Sequence, residues 1–379
     1  MGLHRTDGAE LVALLTLMAL PGVGLKRLRW LLQRYGSART ALRAPATELG
    51  APAAAARRAP ATVQRVDGAL RVIERGSIVV LMQADAGYPR RFRHVADPPP
   101  VVFARGDLSL LDLPAVAVVG SRDATERGRR AARELGRTLA AAGAAVVSGF
   151  ARGIDAAAHR GALDASGATI AVLGAGIDVP YPRPHVRLHE RLAQHGLLLS
   201  EFLPGELPYP SHFPRRNRLI AAQSAAVICV EAAEPSGALG TVGHALDIGR
   251  SVFVLRATPG ARNTAGTNRL IQDGAPVLRR TEDVLQDDFE LMRLIPNLER
   301  LRAAADAAGP RVAAGSRVVA GEAGARVYSA IGFDPLHVDR IAAIAEVEPA
   351  TALSALLELE VDGRVCQLPG GWYVRSPEL

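Results

Sequence analysis

Ala145-Val146-Val147-Ser148-Gly149-Phe150-Ala151-Arg152-Gly153-Ile154-Asp155-Ala156-Ala157-Ala158-His159 reads as a short strand, a glycine turn and the start of a helix. The strand is apolar without alternation, the pattern of a strand covered on both faces. Two glycines and an arginine at its carboxyl end describe a place suited to an anion. The same grammar recurs on either side. Val116–Val119 runs into Gly120-Ser121-Arg122, and a helix over Arg127–Ala142 ends at Gly143. Thr169–Leu173 ends at Gly174-Ala175-Gly176, Leu197–Leu199 at Ser200-Glu201, and Ala226–Val230 at Glu231, with Ser251–Leu255 as a sixth strand. Alternating strands and helices with unbroken apolar strands predict an α/β fold, a doubly wound, mostly parallel Rossmann-like sheet.

Ligands of such sheets bind beyond the carboxyl ends of the strands. Small and polar residues collect there: Gly120, Ser121, Arg122, Ser148, Gly149, Arg152, Ser236 and Gly237. Gly120 alone is a tight turn; the set together predicts a phosphate pocket, with the N–H groups of the following helix and the Arg122 fork as donors. The glycine fingerprint of dinucleotide-binding folds is absent, because Val119 is followed by Gly-Ser-Arg-Asp-Ala-Thr. No Gly-Lys-Ser or Gly-Lys-Thr loop exists either. NAD binding and P-loop ATP hydrolysis are both poorly supported, and no cofactor is expected.

Phe213-Pro214-Arg215-Arg216-Asn217-Arg218 follows Tyr209-Pro210 and reads as an extended loop before a helix over Leu219–Ser224. An aromatic ring beside clustered arginines suits a single-stranded nucleic acid, whose bases stack while guanidinium groups hold phosphates. The competing reading places Phe213 in the core and pairs the arginines with Glu201, Glu206 or Glu231.

The chain has 379 residues, 49% apolar and 4% aromatic, with a formal charge of +7. Nearly all of its cations are arginine; Lys26 is the only lysine. Cys229 and Cys366 lie far apart with no Cys-x-x-Cys spacing, so neither a disulfide framework nor a zinc site is expected, and a reducing cytosol fits. Leu11–Leu20 is apolar but short and reads as a core helix, not a signal peptide; no stretch is long enough to span a membrane.

Four segments are expected. Residues 1–75 are helical, with Leu20-Pro21-Gly22-Val23-Gly24 between two helices as in a helix-hairpin-helix. Such a turn either presents N–H groups to a DNA phosphate or simply needs glycine for its geometry. Residues 76–300 hold the sheet, and 301–323 a linker rich in Ala, Gly and Arg. Residues 324–379 form a winged helix: helices over Val327–Ile331, Leu336–Ile344 and Ala350–Leu359, then a hairpin around Pro369-Gly370-Gly371. Its third helix has no arginine and ends acidic, which predicts a protein contact or weak DNA binding rather than major-groove reading.

Gly-Ser-Arg, Ser-Gly-Phe-Ala-Arg-Gly-Ile-Asp-Ala-Ala-Ala-His, Tyr181-Pro182, Ser200-Glu201, Phe-Pro-Arg-Arg-Asn-Arg, Glu231 and Ser236-Gly237 occur in one order. Together they resemble the DNA-processing protein A family, most densely over residues 85–280. The resemblance implies a bacterial homodimer that binds single-stranded DNA, loads the RecA recombinase during natural transformation and is not an enzyme. It implies that Gly120, Ser121 and Arg122 line a phosphate pocket and that Phe213 is the stacking ring. Arg216, Asn217 and Arg218 would support or contact the strand, and Ser236 and Gly237 would lie at the pocket wall. His185 stands where the family has Asn, Ala238–Val242 replaces a stretch close to Ser-Leu-Ile-Thr-Ala, and Ala257-Thr258-Pro259-Gly260 replaces Val-Pro-Gly.

Asp155 and His159 share one helix face and could act as an acid–base pair. The favoured reading has Asp155 accepting backbone N–H bonds and His159 bonding a neighbouring loop. The alternative function is a nucleotide-processing enzyme resembling nucleoside monophosphate phosphoribohydrolases. Those carry a Pro-Gly-Gly-x-Gly-Thr loop near a glutamate, where this chain reads Ser236-Gly237-Ala238-Leu239-Gly240-Thr241.

Overall fold

The apolar runs are strands buried on both faces. The computed structural model describes residues 8–256, 263–300, 322–331, 336–361, 364–368 and 370–375. One sheet contains β1 (Val79–Met82), β2 (Val101–Gly106), β3 (Ala115–Val119), β4 (Ala145–Ser148), β5 (Thr169–Val172), β6 (Leu197–Ser200), β7 (Ala226–Cys229), β8 (Ser251–Leu255) and β9 (Val277–Leu278). Its spatial order is β1-β2-β6-β5-β4-β3-β7-β8-β9. From β6 to β9 every pairing is parallel; β2 joins β6, and β1 joins β2, antiparallel. The chain moves outward from β3 through β6 and then returns to place β7 on the other side of β3. The doubly wound, mostly parallel sheet is therefore present, with the order reversing between β3 and β7. β1, β2 and β9 were not anticipated: β1 is short, and β2 and β9 follow Pro98-Pro99-Pro100 and Gly274-Ala275-Pro276, which read as loop.

The helices follow the pleat. Alternate residues of β3, Ala115, Ala117 and Val119, join Val147, Ile170, Leu199 and Cys229 in a cluster. That cluster is covered by α10 (His212–Gln223) and α11 (Gly237–Asp247). The opposite residues, Val116 and Val118, pack with α7 (Glu126–Ala141) and α8 (Ile154–Asp164). Farther along this second face, Ala171, Leu198 and Phe103 are covered by α9 (Val186–His195) and by helices from the start of the chain. Those are α1 (Gly8–Ala19), α2 (Leu25–Tyr35), α3 (Ala38–Ala41), α4 (Ala46–Leu49), α5 (Ala51–Ala56) and α6 (Pro60–Arg75). Leu14, Leu17, Leu31 and Leu49 share one apolar cluster with the sheet residues, and helices and sheet lie in one compact unit, Met1–Arg302. The shorter helices α12 (Ala265–Gln272), α13 (Thr281–Leu285) and α14 (Phe289–Met292) complete it.

The second unit, Ala303–Leu379, contains α15 (Glu322–Ala330), β10 (Leu336–His337), α16 (Val338–Ala345), α17 (Pro349–Val361), β11 (Val365–Leu368) and β12 (Trp372–Arg375). Leu336 begins a strand rather than the second helix, and its pairing with β12 makes a three-stranded wing. Ile341 and Ala345 are buried in this unit's core, whereas Ile344 is exposed. Arg364 and Arg375 both stack on Tyr328, so these two cations are engaged in packing. The expected linker over 301–323 lies almost wholly outside the described residues, as do Ala257–Gly260 and Pro369.

Helices α7 and α8 approach closely because glycine stands at the crossing. A Cβ on Gly161 would lie 1.8 Å from the Arg133 carbonyl oxygen, and one on Gly136 would lie 2.2 Å from that of Ala158. Backbone cannot yield as a side chain can. Gly161→Ala is expected to lower the unfolding free energy by about 1–3 kcal/mol through overpacking, measured as a shifted urea midpoint.

Candidate nucleic-acid interface

A cleft of about 730 Å³ opens where the strand order reverses, between the loops that follow β3 and β7. The loop after β3 supplies Gly120, Ser121 and Arg122, α8 supplies Asp155, α10 supplies Phe213, Arg216 and Asn217, and the start of α11 supplies Ser236 and Gly237. Eight of the twelve residues expected at the site thus line one cavity, with Asp155 beside them. Arg152 is exposed on a small adjoining pocket that also touches Gly149 and Phe213. Arg218 turns away toward a different groove.

Ser148 lies beneath the surface. It is fully buried and its hydroxyl donates to the Val118 carbonyl at 2.7 Å, tying β4 to β3. Gly120 answers to packing: a Cβ there would meet Ile154 Cγ1 at 2.6 Å and the Glu231 carbonyl at 2.9 Å. Ser121 N–H donates to that same carbonyl at 2.7 Å, locking the end of β3 to the residue after β7. Gly153 has φ of +77°, and its missing Cβ leaves room for the Ser121 carbonyl.

The helix after β3 does not offer its N-terminus to a phosphate. Glu231 already holds it: its carboxylate accepts the Thr125 N–H at 2.9 Å and also the Thr125 hydroxyl, while that hydroxyl accepts the Gly128 N–H at 3.0 Å. A Cβ at Gly128 would collide with the carboxylate, so glycine there makes room for the cap. An acidic side chain at a helix N-terminus complements the helix dipole as an anion would. The expected phosphate contact from α7 is therefore replaced by an internal one.

Phe213 to Arg218 belong to α10, which starts at His212, and not to an extended loop before Leu219. Tyr209-Pro210 pointed to extended backbone, but the helix begins two residues after Pro210, and Pro214 in its first turn gives up only an N–H that has no intrahelical partner. The helix sorts these side chains by face. Arg216 is 3% exposed; its guanidinium donates to the carbonyls of Gly149 and Val172, and its Nε to Asn217 Oδ1 at 3.3 Å. Asn217 in turn donates to the Gly237 carbonyl at 3.0 Å. Arg218 makes a forked contact with buried Glu201, at 2.7 and 2.8 Å, and Arg215 adds a third at 3.1 Å. Burial pulls the Arg216 guanidinium down to about 10, against the pull of Asp155. Burial likewise raises the Asp155 carboxyl, opposed chiefly by Arg216.

Arg122 and Phe213 form a pair that remains open to a ligand. Arg122 is exposed and its guanidinium lies over the half-buried Phe213 ring, 4.9 Å from the centroid. Tyr181, 46% exposed, stands 5.7 Å from the same ring. Tyr181 was noted only as part of a motif; an aromatic in a proline loop of an aromatic-poor chain was the signal for its place at the cleft.

Asp155 accepts the Ala151 N–H at 3.2 Å, closing the turn that precedes its helix. His159 is fully buried, and its Nδ1 lies 2.7 Å from the Thr169 hydroxyl on β5 rather than on a loop. That hydroxyl donates to the Val146 carbonyl, so His159 Nδ1 carries the proton and donates to Thr169. His159, His185 and His189 surround Phe150, whose φ of +61° is unusual for a bulky residue. Burial holds all three imidazoles below the usual histidine range, His159 at about 3. Among the described residues no cluster has the make-up of a metal site.

The His159 shift fixes a pH dependence. The unfolded imidazole protonates below about 6.5 and the folded one does not, so acid favours the unfolded chain. Stability from this group is present above the unfolded value and is lost as pH falls from about 6.5 toward 3. Between pH 7 and 5 the loss is about 2 kcal/mol. His159→Asn, which cannot take the proton, is expected to remove that share of the acid destabilisation in urea titrations at the two pH values.

Comparison with known proteins bears on the whole chain. The family model described as DNA recombination-mediator protein A matches residues 79–288, and that of the DprA winged helix domain matches 314–371. Protein Smf of Synechocystis sp. is 34% identical over 315 residues, spanning 77% of this chain and 78% of the relative. The putative DNA processing protein DprA of Mycobacterium tuberculosis is 38% identical over 299 residues, spanning 78% and 74%. The X-ray structure of DNA processing protein A from Streptococcus pneumoniae is similar with a TM-score of 0.61 at 30% identity, covering 75% of this chain and 99% of that one. DNA processing protein A from Helicobacter pylori, a structure reported for its single-stranded DNA binding mode, has a TM-score of 0.51 at 31% identity, covering 58% and 96%.

Proposed function

The chain belongs to the DNA recombination-mediator protein A family, and from that premise we propose that it binds single-stranded DNA in the cleft between β3 and β7 and delivers it to a RecA-type recombinase. The observation that carries this reading is the pairing of exposed Arg122 with the Phe213 ring at the cleft wall. A base entering over the ring displaces the guanidinium, which then meets the phosphate beside that base. One movement thus supplies both stacking and charge. Ser121, Ser236 and Gly237 offer short polar groups along the same cleft, and Arg152 lies on the adjoining pocket. Gly120, Gly149, Ser148, Arg216 and Asn217 shape the cleft from within, while Arg218 anchors α10 through Glu201.

Binding without turnover is the favoured reading. Of the carboxylates at the cleft, Asp155 is buried and bonded to Ala151, while Asp123 is exposed on the loop after β3; Glu231, behind that loop, is held by Thr125. Action as a homodimer in the cytosol, within natural transformation, belongs to the same proposal and rests on the family. Incubation with a nucleoside monophosphate is expected to release no base above background; release that Asp155→Asn abolishes would favour the enzyme reading.

Arg122→Ala is expected to weaken binding of an oligothymidylate and to flatten the dependence of log affinity on log salt by roughly 0.7, one phosphate contact. Phe213→Ala is expected to cost about 1–3 kcal/mol of binding with little change in that slope. Because ring and guanidinium stack on one another, the double variant should lose less than the sum. Fluorescence anisotropy over a salt series measures all three; an unchanged slope and affinity in Arg122→Ala would remove it from the site.

A further inference from the structure

A second groove, about 620 Å³, lies between the Gly22–Gly24 turn and the far face of α10. Lys26 and Arg27 form one side, Arg215 and Arg218 the other, and His244 of α11 closes an end. Asp97 also lines it and is bonded to Arg29 at 2.9 Å, while Glu201 lies buried behind Arg215 and Arg218. Five cations therefore share two carboxylates. Arg215 keeps a buried Nε with no hydrogen-bond partner.

Gly24 is the N-cap of α2, a position that glycine suits but that Ser, Asp or Asn fill as well or better. Its φ of −76° is open to any residue, and a Cβ there would meet nothing within 4 Å. Neither strain nor packing calls for glycine, but a bare backbone allows close approach by something outside the chain. Trp30 is 45% exposed and follows Lys26 by one helical turn on the same face. A large exposed ring beside cations is the combination that holds a base and its phosphate. The groove and the cleft are separate but flank the same two helices, α10 and α11. Phe213, Arg216 and Asn217 of α10 face the cleft, Arg215 and Arg218 face the groove, and on α11 Gly240 and Thr241 lead to His244 one turn on.

We propose that this groove is a second phosphate-binding subsite, taking the backbone of the same DNA strand as it leaves the cleft, with Lys26 and Arg27 as phosphate ligands and Trp30 as a base platform. The proposal rests on the cleft reading and extends it. It assigns a role to the glycine turn of the N-terminal helices and makes them part of the DNA-binding surface.

The single lysine gives a direct test. The full chain is acetylated with an amine-selective reagent, alone, with inorganic phosphate, and with oligothymidylates of about 6 and about 30 nucleotides, lengths below and above a typical single-strand site. Lys26 modification is read by peptide mass spectrometry. The long oligonucleotide, at ten times its dissociation constant, is expected to slow Lys26 modification roughly tenfold. The short one, held in the cleft, is expected to leave it unchanged. Lys26→Ala should lower the salt slope by roughly 0.7 for the long oligonucleotide only. Gly24→Asp should keep or raise the melting temperature, since aspartate caps a helix better than glycine, yet weaken the long oligonucleotide roughly fivefold. If both lengths bind but Lys26 reacts equally with and without them, the second subsite is wrong and the cleft stands. Equal protection by phosphate alone would also overturn the strand assignment. If neither oligonucleotide binds, both readings fall.

Discussion

The buried guanidinium of Arg216 holds the ligand-facing edge of the sheet together. It reaches the carbonyls at the ends of β4 and β5 from a helix that crosses beneath them. Asn217, its neighbour, carries the connection to the first turn of α11. Burying a charge is costly unless its donors are all met, and removing one partner of such an arrangement typically costs about 3–5 kcal/mol. Gly149 accommodates it, since a Cβ there would lie 2.5 Å from the guanidinium. The cleft floor is rigid because moving any one of these loops would strand that charge.

This division of labour separates the arginines of one short motif. Arg216 and Arg218 are internal, Arg215 lies between, and the exposed partner of Phe213 comes from a different loop, as Arg122. A helix N-terminus is the usual anion holder in doubly wound sheets. Here the one after β3 is closed by Glu231, and it is the first turn of α11 and the exposed Arg122 guanidinium that border the cleft. Guanidinium–phosphate contacts are sensitive to salt and tolerant of base sequence.

Much of this was legible in the residues. Unbroken apolar runs located six strands, β3 to β8, because burial on both faces leaves no alternation, and the glycine or serine that ends four of them marked the edge at which ligands bind. The hydrogen-bonded roles were not legible. Glu231 as the cap of α7 depends on a contact 106 residues apart in sequence, and Ser148 looks the same whether its hydroxyl faces a ligand or the Val118 carbonyl. Tyr209-Pro210 disguised the start of α10. Strand β2 was hidden by the prolines before it and by its distance in sequence from β6, its antiparallel partner, and β1, which pairs only with β2, went with it.

The apolar cluster shared by the first helices and the sheet orders events during synthesis. Leu14, Leu31 and Leu49 leave the ribosome early, yet their partners Ala171 and Leu198 follow more than a hundred residues later. At about 5–20 residues per second, that interval is on the order of ten seconds. Through it the helices present an uncovered greasy face to the cell. Nascent-chain chaperones have their natural point of engagement there, before any DNA-binding edge exists.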